Sequence, residues 1–163
     1  MVDNSAARKR IALGLLLGSL SGGAMAVDID ALWNYDQPGV SELRFREALK
    51  SESGDDALEV ETQIARTLSL RREFNKAHAL LDTIEKRLSE KTRPATRVRY
   101  LLERGRTWRS AGDPAKARPL FFDAWQLADR EKITLLAIDA AHMLGIIDPP
   151  EQAIRWNERA MAL

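Results

Sequence analysis

One spacing recurs four times along the chain and limits what it can fold into. A small residue is followed four positions later by a bulky one, and three positions after that by another residue on the same face. The frame reads Ala117, Phe121, Ala124. It fits Ala77, Leu81, Ile84 and Ser41, Phe45, Ala48, and more loosely Ala153, Asn157, Ala160. Steps of four and three place all three residues on one side of an α-helix. The anchors at 41, 77, 117 and 153 are 36, 40 and 36 residues apart. Recurrence at a few dozen residues marks a repeat architecture, in which each unit buries its apolar face against its neighbours.

A second register accompanies the first. Twelve residues before each later anchor stands a small residue, Ala65, Gly105 or Ala141, and nine before it a large one, Leu68, Trp108 or Leu144. Glycine within a helix costs about 0.5–1 kcal/mol relative to alanine. Gly105 therefore needs a reason, and close approach of a second helix supplies one.

The spacing and punctuation predict an all-α chain. A short turn is expected near 29–34, then helices over 38–51, 57–70, 74–89, 97–110, 114–130, 132–145 and 150–163. Prolines 38, 114 and 150 stand at helix starts, with Asp36, Asp113 and Asp148 in front of them as expected N-terminal caps. No run alternates long enough to make a strand. The longest internal connection is expected around 91–94.

In Leu101, Gly105, Trp108, Gly112-Asp113, Ala117, Phe121 and Ala124 the sequence resembles the tetratricopeptide repeat (TPR) family, whose unit of 34 residues is a helix–turn–helix. The match is strongest over 97–130. It is looser over 57–89, with Ala65, Leu68 and Ala77, and over 132–163, with Ala141, Ala153 and Ala160; 38–51 resembles a lone second helix. The resemblance implies an α-solenoid of stacked antiparallel helix pairs, wound as a right-handed superhelix. It also implies a concave groove lined by first-helix residues: Thr62 and Arg66, then Arg99, Leu102, Arg106 and Arg109, then Ile138, Asp139 and His142. A column of Arg66, Arg106 and His142 would suit a carboxylate or an acidic peptide, since guanidinium groups pair with carboxylates bidentately.

Charge adds a further division. The chain is +1 overall; Arg8, Lys9 and Arg10 against Asp3 give residues 1–26 a net of +2, so the remainder carries −1. The basic cluster, the apolar stretch 11–20 and the small residues Ala24 and Ala26 predict a cleaved export signal over 1–26, leaving 27–163 as one domain in the periplasm or outside the cell. The apolar stretch is short for a stable membrane span. A balanced mature surface gives no field to attract nucleic acid.

Catalytic signatures are missing from the sequence. There is no cysteine, which removes thiol chemistry and cysteine-ligated metals. His78 and His142 have no metal-binding spacing, and neither a phosphate-cradling glycine loop nor a serine elbow is present. No catalytic residue, metal or cofactor is assigned. The expectation is a non-enzymatic scaffold that binds a protein or peptide. The alternative is self-association through the C-terminal helix, or a piece of a longer array, because 150–163 ends within a repeat's second helix without a polar cap.

Overall fold

A computed structural model describes residues 27–163; the expected export signal, 1–26, lies outside the described residues. Those residues form eight α-helices and no strand: α1 (Ile29–Leu32), α2 (Pro38–Ala48), α3 (Gly54–Leu70), α4 (Phe74–Glu85), α5 (Pro94–Ser110), α6 (Pro114–Arg130), α7 (Thr134–Ile147) and α8 (Pro150–Met161). None of them is long and apolar enough to cross a membrane. Successive helices pack as antiparallel neighbours; the short α1 touches α2 only lightly, and from α2 onward the weakest joint is between α4 and α5. There α5 packs more on α3 than on α4, which it still reaches through Tyr100 and Arg104. Residues 86–93, between those two helices, are the longest connection among the described elements, and they account for the step of 40 among the repeat anchors.

Proline and aspartate set several helix starts. Pro38, Pro94, Pro114 and Pro150 occupy the first helical turn, where their missing N–H is no loss. Pro94 starts α5 three residues earlier than the sequence pattern suggested. The Asp113 carboxylate accepts from the Lys116 N–H at 3.1 Å. Asp148 was expected to cap α8 in the same way and does not. It ends α7 in an extended conformation, and its carboxylate accepts from Arg118 (2.6 and 2.9 Å) and from Trp156 Nε1 (2.9 Å), tying α6 and α8 to the end of α7.

Three helix ends share one geometry. At the ends of α3, α5 and α6 the residues Arg72, Gly112 and Lys132 take positive φ, +64°, +93° and +57°. In each case the next N–H reaches back to the carbonyl five residues earlier: Glu73 to Leu68, Asp113 to Trp108, Ile133 to Ala128, at 2.8–2.9 Å. This is the Schellman closure, which reverses the chain in a fixed direction.

The repeat positions fill the interior. Ser41, Phe45, Ala65, Ala77, Ala117, Phe121, Ala124 and Ala141 are fully buried and Leu68 nearly so, while Trp108, Ala153 and Ala160 are half-buried. At Gly105 the Phe121 ring of α6 lies directly on α5: a Cβ built there would lie 2.5 Å from Phe121 Cε1. Asn157 is exposed, and the neighbouring Trp156 turns inward instead, 5.1 Å from Trp125 between ring centroids. The apolar interior divides into three clusters, one on α2–α4 with Ile29, one bridging α3, α4 and α5, and the largest on α5–α8.

Candidate functional site

The arginines singled out in the sequence do meet, but through carboxylates. Arg66 on α3 and Arg106 on α5 both donate to one oxygen, Glu103 Oε1, at 3.3 and 2.7 Å. Arg106 also donates to Asp139 Oδ1 on α7. Three helices are thus joined by a chain of alternating charge. Burial alone would lower the pKa of Arg106, but Glu103 and Asp139 outweigh it and raise the value, so the guanidinium stays charged. Glu103 is the centre of this chain, with a side chain only 3% exposed. Arg99 is paired as well: its Nε lies 3.1 Å from Glu59 Oε2, at an angle that makes no hydrogen bond.

Other residues expected to face a groove are placed differently. Thr62 is fully buried, donating to the Glu59 carbonyl at 2.6 Å and accepting from Gln63, because packing against α3 covers that side of the helix. Leu102 is likewise a core residue, and only its edge reaches a cleft. Ile138 is half-buried and His142 exposed, and neither lines a cleft of the face. Arg109 is exposed and makes no ion pair among the described residues.

Two adjoining clefts share Arg66. The first, about 200 Å³, is bounded by Ile29, Asp30, Trp33 and Tyr35 from the N-terminal segment, and by Gln63, Arg66, Arg99, Leu102, Glu103, Leu135, Leu136 and Asp139. The second, about 180 Å³, lies among Arg66, Ser69, Leu70, Arg106, Arg109, Ser110 and Met143. The wall supplied by residues 29–35 was not anticipated. Ile29 is buried among apolar residues of α2, α3 and α4, Trp33 Nε1 donates to Gln63 Oε1 at 3.1 Å, and Trp33 stacks on Tyr35 at 4.7 Å. The Arg66 guanidinium lies 5.5 and 5.6 Å from the centroids of those two rings, within cation–π range. The sequence carried one clue to Glu103: it stands three residues before Arg106, the spacing of a helical ion pair.

Polar groups without partners concentrate here. Five buried side-chain atoms lack a hydrogen bond among the described residues, and three of them, Arg66 Nε, Arg99 Nε and Glu103 Oε2, belong to residues lining the first cleft. Three larger hollows lie elsewhere, about 320 Å³ between α4 and α5, about 540 Å³ at the turn between α7 and α8 and about 280 Å³ at residues 72–76, and none is lined by a residue with such an atom.

No family model matches the chain, and no curated protein or solved structure matches it either.

Proposed function

We propose that this chain is a non-enzymatic interaction module of tetratricopeptide-repeat type, exported from the cytoplasm, that binds a protein or peptide across the face formed by α3, α5 and α7. The repeat reading is supported by three equal Schellman closures, by buried small residues at the recurring positions, and by the seating of Phe121 on Gly105. The observation that carries the binding reading is the pair of adjoining clefts sharing Arg66, whose lining residues own three of the five unpartnered buried polar atoms among the described residues. Buried polar groups without partners are costly and rare, so their gathering on one face favours a ligand there. Because Arg66 and Arg106 are already neutralised by Glu103 and Asp139, an acidic residue of such a ligand would be met by Arg109 at the rim of the second cleft. Export rests on the residue pattern of 1–26.

The test is site-specific photocrosslinking in the native extract. Probes at Leu135 and Arg109, on the rims of the two clefts, are expected to give adducts that a probe at Arg130, an exposed position at the end of α6, does not give. Identical adducts from all three positions would overturn the reading. Substituting Arg66 or Arg106 would be a poor test, since either change takes from buried Glu103 one of its two donors and so perturbs the fold as well as the face.

A second reading is self-association through α8, motivated by Ile154 at 58% and Met161 at 81% exposure. Light scattering that shows a monomer at high concentration removes it.

A further inference from the structure

One side of the last helix pair has the positions of a covered surface, and nothing covers it among the described residues. A step of 36 residues carries Leu102 to Ile138, Arg118 to Ile154, Phe122 to Glu158 and Trp125 to Met161. On α5 and α6 the earlier four residues meet the helix pair that follows. Leu102 is buried in the cluster that holds residues of α7 and α8, Arg118 donates to Asp148, and the rings of Phe122 and Trp125 pack on Trp156 at 6.3 and 5.1 Å between centroids. Their counterparts on α7 and α8 are Ile138, half-buried, and Ile154, Glu158 and Met161, all exposed. Ile154, Glu158 and Met161 follow one another by steps of four and three, so they form one stripe along α8. Arg155 flanks that stripe on the side of Glu158, and neither of the two makes an ion pair among the described residues.

We propose that this side is the interface of a two-fold dimer, in which α8 lies antiparallel to α8 of a second copy. The inference rests on the self-association reading and gives it a geometry. Three observations favour a second copy joined like to like. The exposed side of α2, at the other end of the helix order, carries Arg44, Arg46 and Glu47 around one exposed apolar residue, Leu43, so stacking head to tail would lay those charges on an apolar stripe. An antiparallel two-fold centred near Asn157 instead sets Ile154 of each copy against Met161 of the other, apolar on apolar. The same symmetry brings Arg155 of each copy beside Glu158 of the other, so both charges gain a partner, and they do so twice. A stripe this narrow gives a reversible dimer, with a Kd in about the micromolar range or weaker.

The chain has no cysteine, so single introduced cysteines locate the contact. Sedimentation velocity over a concentration series is expected to show monomer and dimer and nothing larger. Asn157→Cys, beside the axis, should form a disulfide-linked dimer under mild oxidation, and Leu43→Cys should not. Ile154→Glu with Met161→Glu should weaken the dimer about a hundredfold, because a two-fold interface counts each change twice. Arg155→Glu should weaken it as well, and Arg155→Glu with Glu158→Arg should restore it. All these side chains are exposed, and circular dichroism of each variant checks that the helices are intact. A dimer that is lost in Ile154→Glu with Met161→Glu, but that lacks the Asn157→Cys disulfide or the charge-swap rescue, overturns the two-fold geometry and leaves self-association through α8 standing. Growth beyond the dimer does the same. A monomer at every concentration, or a dimer indifferent to Ile154 and Met161, defeats both.

Discussion

Replacing Gly105 with alanine should destabilise the protein, although the change improves helix propensity. Alanine in a helix interior gains about 1 kcal/mol over glycine. Against this, the new Cβ would meet three atoms of the Phe121 ring at 2.5, 2.8 and 2.9 Å, where ordinary contacts begin at 3.4 Å. The ring must retreat by most of an ångström, but Phe121 is fully buried in the largest apolar cluster. Overpacking of this kind costs about 1–3 kcal/mol, and a ring with no room puts the cost near the upper end. The net loss is then about 1–2 kcal/mol, which for a domain of this size lowers the melting temperature by roughly 4–8 °C. Thermal unfolding followed by circular dichroism measures it. A double-mutant cycle sharpens the result. Phe121→Leu alone leaves a cavity and costs about 1–2 kcal/mol, but it makes room for the new methyl group. Gly105→Ala with Phe121→Leu should therefore be less damaging than the sum of the singles by about 1 kcal/mol or more. A higher melting temperature for Gly105→Ala, or strict additivity in the cycle, would refute the claim that this glycine exists for the α5–α6 approach.

Glu103→Ala, which leaves Arg66 without its carboxylate and Arg106 with Asp139 alone, should cost about 3 kcal/mol in denaturant unfolding. Arg72→Gly and Lys132→Gly should each raise stability by up to about 1 kcal/mol, because both side chains sit at positive φ where glycine is at ease; a loss in both would contradict the Schellman assignment. The His78 pKa is lowered, by burial first and then by Arg104 and Lys116, with Asp82 opposing. The unfolded chain therefore binds the proton more readily, so the stability His78 contributes is present above about pH 6.5 and is lost as pH falls through its lower folded value. His78→Gln should flatten melting temperature against pH between about 7 and 5. Asp148 is likewise held below the usual carboxylate range, chiefly by its bonds from Arg118 and, against the effect of burial, by Trp156. Its contribution is present above about pH 4 and lost below it, and Asp148→Asn should remove that acid-limb slope.

Much of the helical layout was legible because it is written in local chemistry. Prolines 38, 114 and 150 and Asp113 mark helix starts in the first turn, and the buried frame at 77, 81 and 84 or 117, 121 and 124 follows from helical spacing alone. Asp148 was misread because capping is a local rule, and here a bond from Arg118 on α6 competes with it and wins. The turns at Arg72 and Lys132 carry no glycine, so nothing in their composition set them beside Gly112. The site was harder still. Arg66, Arg106 and Asp139 were found as face residues, but their partnership depends on Glu103, a charged residue that no sequence pattern set apart and that helix packing buries. Thr62 and Leu102 were placed in the groove by analogy of position, and packing between helices buried them. The wall at Trp33 and Tyr35 comes from a segment outside the repeat frame, so no periodicity pointed to it.

From α2 onward, α4 and α5 are the successive helices that touch least, and the Arg66–Glu103 bond crosses instead from α3 to α5. An exposed ion pair there would loosen in brine, but a carboxylate withdrawn this far from solvent is screened little. The bend between the first hairpin and the second is thus pinned by a rivet that electrolyte does not dissolve, and the gap between α3 and α5 should read the same in dilute buffer as in molar salt.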